Sequence, residues 1–186
     1  MIEPDDITFN LSKIEKQSSP PEDDSATMKD AYAAFVNLLA SQASNVAYQV
    51  IPVGSYVIGC VTKNNMVVDC HLNIDGLANQ DWSDESIAHD LKVKLDLVYE
   101  GPEKNDRPDT SCELFAGNKS TLIINDGPSK SSIRVFVSSS KVYQEDQRIT
   151  RASAGIFHSN WLVETYNQSP NAWQTVKLFR MVRVWK

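Results

Sequence analysis

Between Val53 and Asp75 the chain reads VGSYVIGCVTKNNMVVDCHLNID. Gly54-Ser55 is a turn able to bring backbone N–H groups and a hydroxyl against phosphate oxygens, because glycine permits close backbone approach. Asp69, on the apolar stretch that follows, is a hard oxygen ligand of the kind divalent metals take. These are ingredients of metal-dependent nucleotidyl transfer, in which two divalent ions hold a triphosphate in line with an attacking hydroxyl. That chemistry sets a donor requirement: carboxylates at i and i+2 of one strand, which share a face, and a third acid from a later strand. Two residues after Asp69 stands His71, and a neutral imidazole suits magnesium poorly. Asp75 shares the face but lies about 20 Å away at the rise of a strand. The later strand candidate, SSIRVFVSSS from Ser131 to Ser140, has no carboxylate. One acid of three cannot hold two metals. No catalytic residue, metal site or cofactor is therefore expected, and Gly54, Ser55 and Asp69 are read as a vestigial nucleotide-binding set. Asp69 on a partly solvated face would find a cation to pair with, Lys63 being near in sequence. Two alternatives stay open: a divergent magnesium-dependent nucleotidyltransferase that draws an acid from elsewhere, such as Asp126 or Asp146, and nucleotide binding without turnover.

The elements that must position these residues are legible in outline. Residues 1–25 are acidic and proline-paired, with too few apolar residues to offset ordering entropy, and read as a flexible arm. Ser25 is a candidate N-cap for a helix from about Ala26 to Ser41, along which Met28, Ala31, Tyr32, Phe35, Leu38 and Leu39 recur on one face. Tyr48 to Val53 reads as a short strand. Met66 to Ile74 alternates, so that Val67, Asp69, His71 and Asn73 share one face and Val68, Cys70, Leu72 and Ile74 the other. Ser83 caps a second helix aligning Ile87, Leu91, Leu95 and Val98, although KVKLDLVY also alternates with period two. Cys112 to Ala116 and Ser120 to Asn125 flank the hairpin turn Gly117-Asn118-Lys119. Ser132 to Ser138 alternates as a further strand, linked to the hairpin by Asp126-Gly127-Pro128. After Gln144 the period turns helical, broken at Ser169-Pro170. The order predicts an α+β fold, a small mixed sheet backed by helices with more helices at the C-terminal end.

Composition bounds the rest. The chain has 186 residues, 41% of them hydrophobic, and a net charge of −6, which suits one domain and argues against a surface built throughout to grip nucleic acid. The end of the chain is its only basic part, with Arg148, Arg151, Lys177, Arg180, Arg183 and Lys186. RNA contact there is expected to be weak or indirect, because cations at a helix carboxyl end are also what the helix dipole favours. No apolar run approaches the ~20 residues a membrane span needs. The acidic start is unlike a secretory signal, so an intracellular, soluble protein is expected. Cys60, Cys70 and Cys112 show no paired spacing and read as buried thiols.

Two stretches together carry a family resemblance. VGSYVIGCVTKNNMVVDCHLNI resembles the start of the DZF domain of interleukin enhancer-binding factors and zinc-finger RNA-binding proteins. ASAGIFHSNWLVETYNQSPNAWQTVKLFRMVRVWK resembles its later segment, where an Arg-His-x-x-Trp-Phe signature precedes an apolar helix ending in basic residues. His158 and Trp161 hold the His and Trp positions, while Phe157 and Leu162 depart from the pattern. The resemblance spans about Ala26 to Lys186, taken as a DZF domain over 26–186 whose C-terminal part is missing. It implies a nucleotidyltransferase-like fold that has mostly lost its catalytic acids. It also implies heterodimerisation with another DZF-domain protein, and residence in the nucleus within complexes of RNA metabolism and transcription regulation. In the last helix Val176, Phe179, Val182 and Trp185 form an apolar surface that asks for a partner. The expected role is a non-catalytic interaction and dimerisation module.

Overall fold

In the computed structural model the described residues are 12–42, 47–75, 83–100, 109–127 and 129–139, with 160–161, 163–165, 168–171 and 174 near the end. Among the described residues the elements that build the sheet and its cover are α1 (Glu22–Gln42), β1 (Ala47–Val53), β2 (Val67–Asp75), α2 (Asp84–Glu100), β3 (Ser111–Leu114), β4 (Thr121–Asp126) and β5 (Ser131–Ser139). The strands form one sheet in the order β1-β2-β5-β4-β3. β2 and β5 pair in parallel at its centre, and every other pairing is antiparallel. This is the small mixed sheet backed by helices that the sequence order predicts.

The alternation in β2 sets the layers. Val68, Cys70, Leu72 and Ile74 are all buried, and they meet Ile133, Val135 and Val137 of β5 and Leu122 and Ile124 of β4 in one core. Both helices cover this face. α1 contributes Met28, Phe35 and Leu39, and α2 contributes Ile87, Ala88, Leu91, Leu95 and Tyr99. The period-two pattern in KVKLDLVY is resolved by burial: on a strand Val93, Leu95 and Leu97 would share a face, yet Leu95 is 1% exposed while Val93 and Leu97 are 47% and 71% exposed. Tyr99 rather than Val98 completes the buried stripe. Ser83 does cap α2, its Oγ accepting from the Ser86 N–H at 3.2 Å.

The start of α1 differs from expectation. The helix begins at Glu22, and Ser25 lies inside its first turn, its N–H donating to the Pro21 carbonyl at 3.0 Å. Glu22, Asp23 and Asp24, acids that suggest a solvated arm, instead occupy the end of the helix where its dipole favours negative charge. Residues 12–18 of the same stretch are helical, Ser18 is buried, and its carbonyl accepts from the Lys63 N–H at 2.9 Å. The hairpin between β3 and β4 is held by Asn118, whose Oδ1 accepts from the Ser120 N–H and hydroxyl at 3.1 and 2.8 Å. Among the described residues no helix is long and apolar enough to cross a membrane. None of the three buried cysteines is in a disulfide.

Truncating Leu72, fully buried on the central strand, is expected to destabilise the fold by about 2–5 kcal/mol. The equally apolar but exposed Leu97 should tolerate alanine within about 0.5 kcal/mol. Urea unfolding of Leu72→Ala and Leu97→Ala checks both, and equal losses would contradict the helical assignment of α2.

Candidate functional site

The face of the sheet turned away from the helices carries the chemistry. β1 runs antiparallel to β2 with Val53 opposite Asp69, so the turn that follows β1 is delivered to Asp69 by register alone. Gly54 adopts φ +69°, and a Cβ placed on it would lie 3.4 Å from Asp69 Oδ2. The turn closes through Ile58 N–H to the Gly54 carbonyl at 3.4 Å and Cys60 N–H to the Ser55 carbonyl at 2.7 Å. It is anchored from below by Cys60 and Val61, both buried, and by Tyr56, whose ring lies 5.5 Å from that of Tyr32 on α1. Burial pushes the hydroxyls of Tyr32 and Tyr56 upward, so both stay neutral.

On the other side, β5 sets Arg134 directly opposite Asp69 and Phe136 opposite His71. Arg134 Nε donates to Asp69 Oδ1 at 2.6 Å. This pairing corrects the expectation of Lys63, which is exposed on the loop before β2. The Arg134 guanidinium also lies 5.7 Å from the centre of the Phe136 ring, which in turn lies 5.2 Å from the His71 ring. The result is a patch of four side chains on two adjacent strands: Asp69 and His71 from β2, Arg134 and Phe136 from β5.

That donor set does not fit a pair of magnesium ions. Asp69 is its only carboxylate, and one of that carboxylate's oxygens is already bonded to a cation. A divalent ion about 4 Å from the guanidinium would meet roughly 8 kcal/mol of repulsion at an effective dielectric near 20. Asp126 does not supply the missing acid. It pairs with Ser131 at the far end of β4 and, like Ile124 two residues earlier, points to the helix-covered face, where its carboxylate accepts from the Ser129 N–H at 3.0 Å. Among the described residues no three His, Cys, Asp or Glu side chains form a group able to hold a metal. Asp146 lies outside the described residues.

His71 is only 6% exposed and its Nδ1 has no hydrogen-bond partner. Burial lowers its pKa and the Asp69 charge opposes that shift without cancelling it, so the imidazole is neutral at physiological pH. Asn73 Oδ1 and Thr121 Oγ1, on the same face, are likewise buried without a partner. Elsewhere on this face Asn125 bridges strands, donating to Glu113 at 3.0 Å and accepting from Ser132 at 2.9 Å.

The structure thus sets Gly54, with Ser55 next to it in the chain, beside Asp69, and adds Arg134 and Phe136, which sequence reasoning treats only as members of an alternating strand. Trp161 lies in a helical stretch and is 52% exposed. His158 and the apolar set Val176, Phe179, Val182 and Trp185 lie outside the described residues.

Two outcomes follow from this geometry. Gly54→Ala forces a left-handed φ on a side chain and is expected to cost about 1–2 kcal/mol in chemical denaturation. For His71, the unfolded imidazole takes a proton near pH 6.5 while the folded one resists it, so the unfolded state binds more protons below that pH. The stability is full above about pH 6.5 and falls as the pH drops below it, by at most about 1.4 kcal/mol per unit. His71→Phe should flatten that segment of the stability–pH curve, and an unchanged slope would show that another group causes it.

No family model and no curated protein sequence matches this chain. Solved structures do match its fold. The Cid1 RNA terminal uridylyl transferase aligns over 88% of this chain and 40% of its own, with a TM-score of 0.53 and 13% identity. The Cid1 poly(U) polymerase bound to MgGTP aligns over 88% of this chain and 43% of its own, with a TM-score of 0.54 and 15% identity. The GLD-2/RNP-8 complex aligns over 87% of this chain and 46% of the matched one, with a TM-score of 0.53 and 13% identity. The chain thus spans less than half the length of each, and what it shares with them is the fold: it is nucleotidyltransferase-like.

Proposed function

We propose that this chain is a nucleotidyltransferase-fold module that does not transfer nucleotides, and that it serves as an interaction and dimerisation part of nuclear, RNA-associated complexes of the DZF kind. The observation that carries the non-catalytic half is the Asp69–Arg134 contact: the carboxylate that would ligate metal is spent on a cation from the neighbouring strand. The resemblance of the Gly54-Ser55 stretch and of the His158/Trp161 segment to the DZF domain supports the interaction half. So does the apolar set Val176, Phe179, Val182 and Trp185, which suits a protein surface better than water. The natural partner is another DZF-domain protein. RNA would be met through the complex, or weakly through Arg148, Arg151, Lys177, Arg180, Arg183 and Lys186. GLD-2, a neighbour in fold, is solved in complex with RNP-8, so protein partnering is compatible with this fold. The alternative, a working magnesium-dependent enzyme, has to find acids beyond the one at Asp69.

Incubating the purified chain with ATP or UTP, magnesium or manganese and a short RNA is expected to give no extension of the RNA 3′ end. Extension that Asp69→Ala abolishes would establish the enzymatic alternative instead. In parallel, mixing with a DZF-domain protein should give a heterodimer by size-exclusion chromatography, weakened at least about tenfold by Val176→Asp or Phe179→Asp.

A further inference from the structure

The outer face of α2 carries an apolar stripe open to solvent, and we propose that it docks a second copy of this chain, with the two helices packed antiparallel about a two-fold axis at Val93. Val93 and Leu97 stand one helical turn apart and are 47% and 71% exposed, whereas Leu91 and Leu95 on the inner face are buried. None of the residues assigned above to a DZF-domain partner takes part.

What selects a second copy is the charge bordering the stripe. At 3.6 residues per turn, Asp90 and Lys94 flank it on one side and Lys92 and Asp96 on the other. Each flank is an i, i+4 ion pair, Lys94 with Asp90 at 2.7 Å and Lys92 with Asp96. Lys94 is close enough to Tyr48 of β1, and Lys92 and Asp96 to Cys112 of β3, for their charges to interact. The two flanks therefore straddle the helix, and the stripe between them faces away from the sheet. Along the chain one flank reads acid then base and the other base then acid, and Val93 lies midway between the centres of the two pairs.

A two-fold axis perpendicular to the helix at Val93 lays each flank against its own copy running the other way. From the 1.5 Å rise per residue, Asp90 then comes level to within about 3 Å with the partner's Lys94, and Lys92 with the partner's Asp96, while the two copies of either aspartate stay about 9 Å apart along the axis. Each lysine stands between its own aspartate and the partner's. At the centre Val93 meets the partner's Val93, and Leu97 meets the partner's His89, which is exposed. A parallel pairing offers the same ion pairs but aligns the helix dipoles and sets the acidic first turns, with Asp84 and Glu85, beside each other. The antiparallel one does neither. One pair of 17-residue helices is a contact at the low end of specific interfaces, below roughly 1,200 Å², so the association is expected to be weak and reversible.

Sedimentation equilibrium of the full chain is expected to show a monomer–dimer equilibrium between about 10 µM and about 1 mM, weakened at least about tenfold by Leu97→Glu. Leu97 is exposed, so that variant keeps its fold, which circular dichroism checks. Lys94→Glu makes one flank wholly acidic and Asp90→Lys makes it wholly basic. Each variant alone should dimerise more weakly than the parent, and an equimolar mixture should regain association, a rescue in trans that loss of an intrahelical ion pair cannot produce. Val93→Cys should give a disulfide-linked dimer on mild oxidation with diamide. Leu97→Cys should give far less, because the two copies of residue 97 lie about 12 Å apart along the axis. The proposal is overturned by a chain that stays monomeric at about 1 mM, by a dimer that Leu97→Glu leaves intact, or by a mixture that associates no better than its components. Leu97→Cys linking as readily as Val93→Cys would also defeat it, since that is the outcome for parallel helices.

Discussion

The parallel ladder between β2 and β5 fixes which side chains can meet at the site, because it sets residue 69 opposite residue 134 and residue 71 opposite residue 136. Side chains on a strand alternate, so a slip of one residue would turn Asp69 and Arg134 to opposite faces and expose the apolar set that the helices cover. The register is held from the core side: Val68, Cys70 and Leu72 on β2 and Ile133 and Val135 on β5 are all essentially inaccessible. The burial that stabilises the sheet is therefore also what positions the ion pair on its other face. The Gly54 turn is tied to the same point, since the antiparallel β1 ends with Val53 across from Asp69. Neither contact needs a dedicated structural device.

How the site was legible follows from the same geometry. The period-two pattern of Met66 to Ile74 assigns Asp69 and His71 to one face without any knowledge of neighbours, and the Gly54-Ser55 turn is visible as a local signal. The absence of acids in Ser131 to Ser140 is equally plain in the sequence. Arg134 as the partner of Asp69 is not, because the two are 65 residues apart and meet only once β5 is known to enter the sheet beside β2, with α2 and the β3–β4 hairpin intervening. Nearness in sequence favours Lys63, and nearness in sequence says little across a parallel pair. The start of α1 was obscured differently. Its first-turn acids have the composition of a solvated segment, and only the helix dipole makes the same residues a stabilising N-terminus. In α2 the two periods coexist, and tertiary burial of Leu91, Leu95 and Tyr99 rather than local pattern decided between them.

His71 shows what an imidazole, rather than a carboxylate, does beside Asp69 on this face. A second acid there would need metal or solvent to be tolerated beside Asp69. A neutral imidazole can instead be buried against Phe136, at the cost of leaving Nδ1 without a partner. The side chain at this position is a packing residue, and its proton affinity is low because desolvation outweighs the nearby negative charge. Arg134 moves in the opposite sense, bringing a permanent charge onto the face but keeping it satisfied through Asp69 and partly in water.

Among the described residues the hydrophobic core lies on the face of the sheet opposite residues 69, 71, 134 and 136, so the packing that sets the strand order is separate from the side chains of the site. This is the physical basis for a shared fold at 13–15% identity with proteins named for nucleotidyl transfer, and for the principle that chemistry lives in a site carried by the fold. The strand register places whatever stands at 69 and 134 side by side on one face. Two carboxylates in that arrangement repel unless a metal joins them, whereas a carboxylate and a guanidinium attract and need nothing. With an arginine at 134, a divalent ion would meet a carboxylate that is already bonded to a cation.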